Sequence, residues 1–216
     1  MGIDFDSVEI ILNSTGERNV IEKMVTDLVS QMEEEKLIDN SIREYYVYAL
    51  VSWVESFLTV GTIIVISMAV RKFFPTLLFL IFFLTLRQRT GGYHLNRFYQ
   101  CYLATIISYL LILWVDTGWA NHIQILFGGL ALSVIFIEIV GTVNHPNMKM
   151  NPEELMESKK AARIIGLLEG SIICSCILLG VDRIFISYMA IAVILCAALL
   201  CIAKIRKQEV KEDEKN

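Results

Sequence analysis

The sequence has no segment with the make-up of a cleavable leader. Its first 40 residues mix acidic, polar and apolar side chains instead of placing a basic start before an apolar run, so they are expected to stay on the protein. Internal repeats, low-complexity tracts and a separate soluble domain are also missing. Cysteine is sparse, with five in 216 residues, and the pattern does not suggest a disulfide framework. Cys174 and Cys176 stand two apart and would point to different sides of a helix, while Cys196 and Cys201 lie in the last apolar run; packing is the role expected of these four. Of only three histidines, His122 falls at a turn and His145 in a loop. With His94 and Cys101 they are in the wrong places for a zinc site, so no metal is expected.

What the chain has in abundance is apolar surface. Hydrophobic residues make up 55% of it and the mean hydropathy is +0.57, above the apolar share of ordinary soluble domains. Six apolar runs stand out: Tyr48–Val70, Phe73–Leu86, Cys101–Val115, His122–Val143, Ile164–Val181 and Ile184–Ala203. A helix needs about 20 residues to cross a hydrocarbon core of about 30 Å. The second and third runs, at 14 and 15 residues, must therefore borrow length from their flanks, thin the bilayer or fall short. The expected fold is an all-α polytopic membrane bundle of about six transmembrane segments in the cell membrane. If both termini face the cytoplasm, 16 of the 19 Lys and Arg residues lie inside and only Arg71, Lys72 and Arg183 outside, which fits the positive-inside bias.

Ahead of the first run, residues 18–36 set Val20, Ile21, Met24, Val25, Leu28, Val29 and Met32 at three- and four-residue spacing, the pattern of an amphipathic helix on the cytoplasmic side. Residues 1–44 carry 11 acids against 4 bases, a net charge of −7, while the remainder nets +3. Attraction to anionic lipid headgroups is a poor explanation for so acidic a helix. A basic partner helix or the protein's own arginines suit it better, and simple packing against the bundle is the alternative. Ser41-Ile-Arg-Glu44 fits a capping box opening the first membrane helix. Asn151-Pro-Glu-Glu154 is a second helix start, with Asn as cap and acids near the positive end of the dipole. Asp116-Thr-Gly118 and Val181-Asp-Arg183 read as short outer turns. The chain thus divides into an amphipathic region at 1–44, a transmembrane body at 45–203 and a charged cytoplasmic tail at 204–216.

Between the second and third runs lies RQRTGGYHLNRFYQC, Arg87 to Cys101. A catalytic thiol must ionise, and a free cysteine with a pKa of about 8.5 needs a neighbouring base or cation to do so. His94 is the candidate base. Seven residues along an unbroken helix would put it about 10.5 Å from Cys101, too far for proton transfer. A catalytic pair therefore requires the chain to bend, and Gly91-Gly92 gives it that freedom. Arg87, Arg89 and Arg97 favour a thiolate and an acidic substrate segment, and Gln88 and Asn96 are placed to orient the imidazole. A second reading remains open at this point, with the arginines serving only the charge bias and the glycines only a turn. Glu55, Glu138 and Glu169 all fall toward the cytoplasmic ends of their runs, where each is a candidate acid to orient His94 or a partner for the arginines.

The set Arg87-x4-Gly92-x-His94-x6-Cys101, between short spans in a chain of this size, resembles the accessory gene regulator B (AgrB) family of membrane cysteine endopeptidases. The resemblance extends to the amphipathic amino terminus, the multi-span body and the loop Asn144-His-Pro-Asn147. It implies Cys101 as nucleophile and His94 as base, with Arg87 and Gly92 required for activity. The substrate it implies is an AgrD-type precursor peptide, cleaved through a thioester and closed into a thiolactone or lactone ring for quorum sensing. No cofactor is implied, since acyl energy passes from peptide to thioester to ring, and no nucleic-acid partner is expected. Membrane lipid and a second copy of the chain, as a homodimer, complete the implied partners. The rival readings are a non-enzymatic membrane chaperone or scaffold, and a small transporter. The transporter would be expected to carry polar residues through the middle of several spans.

Overall fold

The computed structural model describes residues 20–90, 98–119, 123–143 and 151–206, and these form seven α-helices with no strand among them. They are α1 (Val20–Glu34), α2 (Arg43–Ala69), α3 (Phe73–Thr90), α4 (Phe98–Trp119), α5 (Ile123–Val140), α6 (Pro152–Leu178) and α7 (Arg183–Ile205). The chain divides into two compact units, 1–58 and 59–216, with the boundary inside α2.

In the first unit α1 uses part of its apolar stripe. Val25 and Val29 are buried with Ile38, and Met32, Tyr46, Val47, Leu50 and Val51 pack around them. Met24 and Leu28, which the sequence places on the same stripe, remain exposed. Arg43 fastens the unit from its polar side, lying 3.3 Å from Glu33 Oε2 and donating to Ser30 Oγ at 3.1 Å. Ser41 falls within a 3-10 turn, Asn40–Ile42, leading into α2, and its side chain lies outside the described part.

In the second unit α7 is the centre, in contact with α3, α4, α5 and α6. Its small residues explain how one helix meets so many neighbours. Ala190, Ala192, Ala197 and Ala203 are all buried, so adjacent backbones come close without leaving voids. The same device joins α5 to α6. A Cβ at Gly166 would sit 3.3 Å from Ile137 Cγ2, and one at Gly170 3.2 Å from Val134 Cγ2. Outward faces are apolar, with Leu132, Ile139 and Leu178 strongly exposed, as suits helices surrounded by lipid. Three helical stretches are long and apolar enough to cross a membrane, Ala49–Ala69, Pro152–Leu178 and Arg183–Ile205, and two shorter apolar ones, Tyr102–Trp114 and Gln124–Val140, accompany them.

The two short runs do gain length from their flanks. α3 continues past Leu86 through Arg87, Gln88 and Arg89 to Thr90, about 27 Å at the usual rise, and α4 spans about 33 Å. The expected outer turn at Asp116-Thr-Gly118 is corrected here: those residues are helical, and α4 ends only at Trp119. An unbroken ladder pairs backbone groups that a turn would leave open, and this outweighs the breaker tendency of Asp and Gly. At the other expected turn, Gly180 takes the left-handed conformation (φ 70°) after α6, and Asp182 caps α7 by accepting from the Ile184 N–H at 3.2 Å. Asn151 caps α6 with the reciprocal bonds of a capping box, to and from Glu154, and Pro152 opens the helix.

Candidate active site

Helix α3 carries Arg87 and Gln88 in its last turn, and α4 carries Cys101 in its first. Arg87 is half-buried, whereas Gln88 and Arg89 are exposed. Gly92 and His94 lie outside the described residues, as do Asn96, Arg97, His122, His145 and the tail from residue 207, and the Cys101 side chain is likewise outside. What the structure describes is the frame from which the Arg87–Cys101 segment leaves and to which it returns.

On the α3 side that frame is polar, and it joins an exposed threonine to a buried carboxylate. Thr85 Oγ1 donates to Glu169 Oε1 of α6 at 2.7 Å, and it also lies 2.7 Å from the Ile81 carbonyl of its own helix. A hydroxyl has one proton, so these two acceptors share it. Glu169 is only 6% exposed, and its Oε2 has no hydrogen-bond partner among the described residues. Arg87 and Glu169 both act electrostatically on Cys196 of α7, so the last turn of α3 and the middle turns of α6 and α7 bring a guanidinium, a carboxylate and a thiol into one neighbourhood. The Cys196 thiol donates to the Phe83 carbonyl at 3.5 Å and is fully buried, consistent with a packing role. Cys176 and Cys201 are half-buried and Cys174 is exposed; all four are free thiols.

The end of α3 is tied down once more beyond Arg87. The Val143 N–H, just past α5, donates to the Thr90 carbonyl at 3.4 Å. Residues 91–97 and 144–150 therefore depart from adjoining points. Gly141 makes this corner possible, with φ at 72° and Lys159 pressed so close that a Cβ would meet it at 3.1 Å.

The α4 side is held by hydroxyl pairs. Tyr102, the residue after Cys101, pairs with Thr62 of α2 at 3.0 Å, and Tyr109 pairs with Thr76 of α3 at 2.7 Å. The three candidate acids differ. Glu169 is buried and bonded as described; Glu138 is half-buried, with an Oε1 that has no partner among the described residues. Glu55 is half-buried in the first unit. Sequence reasoning passed over Thr62, Thr76 and Thr85. The available signal was a hydroxyl inside an otherwise apolar helix, where water cannot satisfy it.

The family model described as accessory gene regulator B matches residues 21–203. No curated protein and no solved structure matches the chain.

Proposed function

Because the chain belongs to the AgrB family and so has a role in quorum-sensing peptide processing, we propose that it is a membrane cysteine endopeptidase acting on an AgrD-type precursor. What carries this reading is that the matched range, 21–203, includes the whole of Arg87-x4-Gly92-x-His94-x6-Cys101. Cys101 is the nucleophile and His94 the base. Thiolate sulfur attacks the carbonyl carbon at the end of the signal segment, and His94 passes the thiol's proton to the departing amine. The carboxy-terminal tail leaves and a thioester remains on Cys101. A thiol or hydroxyl within the bound peptide then attacks that thioester and gives its proton to His94, Cys101 departs as thiolate, and the peptide closes into a ring.

Two features support the roles. Cys101 stands in the first turn of α4, where the helix dipole favours a negative sulfur. Arg87, with Gln88 beside it, stands in the last turn of α3, seven residues before His94, and adds positive charge to the same segment. α3 ends at Thr90 and α4 begins at Phe98, so the reading requires the link between them, with Gly92, to turn His94 back onto Cys101. Of the three acids, Glu169 anchors α3 to α6 through Thr85, and Glu138, Glu169 and Glu55 are the candidates for orienting the imidazole. The positive-inside bias puts the site at the cytoplasmic face with both termini inside. There the acidic region 1–44 serves to dock the precursor, 45–203 is the catalytic body and 204–216 a charged tail. A homodimer in lipid is the working assembly.

The test is incubation of the protein in lipid bilayers with the precursor encoded by a short reading frame beside its gene. A covalent adduct of the signal segment on Cys101 is expected by mass spectrometry, together with a released tail. Cleavage that persists in Cys101→Ala overturns Cys101 as nucleophile, and a wild-type protein that neither cleaves nor forms the adduct supports the scaffold reading.

A further inference from the structure

Four hydroxyl-bearing residues between helices do work that the proposed chemistry does not explain. Tyr102 and Tyr109 are seven residues apart on α4, hence on one face and two turns from each other. Each phenol shares a hydrogen bond with a threonine hydroxyl on a different helix, Tyr102 with Thr62 at 3.0 Å and Tyr109 with Thr76 at 2.7 Å. The second pair is buried, and its ring lies 6.4 Å from Phe79 of α3, which stacks on Phe83 at 5.6 Å. Along the rest of the face, Ile112 is buried and Ile106 and Leu113 are packed against the core, whereas Leu103, Ile107, Leu110 and Leu111 are exposed.

An apolar stripe alone fixes such a helix poorly in rotation, because lipid and side chains of neighbouring helices are equally apolar and a small roll exchanges one for the other. Directional bonds at two heights remove that freedom. A roll breaks both at once, and the Tyr109–Thr76 pair is buried where no water replaces it. We propose that the Tyr102–Thr62 and Tyr109–Thr76 pairs are a rotational clamp on α4, and that Tyr102 and Thr62 are positioning residues for the nucleophile one residue away. The proposal rests on the reading of Cys101 as nucleophile. An atom at the rim of a helix, about 5–6 Å from its axis, moves by about 1 Å for a roll of about 10°. Displacement of a reacting group by about 1 Å is enough to slow a reaction by as much as about 100-fold.

The experiment measures single-turnover formation of the Cys101 thioester, in lipid bilayers, with the precursor encoded beside the gene. Tyr102→Phe keeps the ring and Thr62→Val keeps the shape, yet each removes one hydroxyl. Each is expected to lower the acylation rate by about tenfold or more with KM unchanged, the double variant to fall no further than either single one, and Thr62→Ser, which restores the hydroxyl, to recover the rate. Wild-type acylation in both Tyr102→Phe and Thr62→Val overturns the clamp. So do losses that multiply in the double variant, or a Thr62→Ser as slow as Thr62→Val. Cys101→Ala separates the two ideas: if it is inactive while the clamp variants are unimpaired, only the clamp falls, and if it still cleaves, the catalytic reading falls and the clamp with it.

Discussion

The Thr85 hydroxyl donates to Glu169 Oε1 at 2.7 Å, binding α3 to α6 across 84 residues of sequence just ahead of the turn that carries Arg87. Leaving a buried acceptor without its donor costs about 1–3 kcal/mol. Thr85→Val should therefore lower stability by about that amount, and Thr85→Ser by much less. Thermal unfolding in nanodiscs decides it, and a Thr85→Val protein as stable as wild type refutes the anchor. Glu169→Gln keeps an acceptor for Thr85 and is expected to turn over precursor normally. A folded Glu169→Gln that has lost turnover would promote this acid from anchor to orienting partner of His94.

Two glycines should respond in opposite directions to the same change. Gly141 has φ at 72° with Lys159 atoms 3.1 Å from where a Cβ would stand, whereas nothing lies within 4 Å of a Cβ at Gly61. Gly141→Ala should destabilise by about 1–2 kcal/mol or more, the left-handed penalty plus the crowding. Gly61→Ala, in a helix interior, should stabilise by up to about 1 kcal/mol. Paired melting curves test both, and a Gly141→Ala protein that melts with wild type contradicts the corner described at the end of α5.

Helix α6 begins on the Asn151–Glu154 capping box. Asn151→Ala removes one of its two reciprocal bonds and should cost about 1 kcal/mol, while Asn151→Ser should be close to neutral. Hydrogen exchange at the amides of residues 153–155 reads the effect locally, and unchanged protection there would argue against the cap.

In α1 and the residues after it, Asp27, Glu34 and Glu35 are exposed, whereas Glu33 is held by Arg43. Reversing the three exposed acids to lysine, and sparing Glu33, should raise the apparent KM for precursor about tenfold or more by turning attraction into repulsion. The rise should shrink at high salt. An unchanged KM removes the docking role and leaves α1 as a packing element only.

Helix identity was readable because it depends on local signals. The cap at Asn151, the turn around Val181-Asp-Arg183 and the apolar runs each follow from residues within a few positions of one another. Asp116-Thr-Gly118 misled for the same reason: its local chemistry says turn, whereas the helix that precedes it simply continues to Trp119. The stripe on α1 was half right, since spacing groups Met24 and Leu28 with Val25 and Val29 but does not say how wide a face α2 can cover. The cross-helix bonds were not readable at all. Thr62 and Tyr102 are 40 positions apart, and a lone hydroxyl in an apolar run does not announce its partner. For the site itself, spacing limited what a catalytic His94 and Cys101 require of the chain, and the structure sets Arg87 and Gln88 in the last turn of α3.

The central position of α7 bears on how the protein is made. Its four neighbours all precede it in the chain, so they leave the ribosome and enter lipid before the helix that they surround exists. Insertion and assembly are then separate events. A chain arrested before residue 183 would expose the unfilled interior of its bundle to the bilayer, and quality-control proteases would have that uncovered surface to recognise.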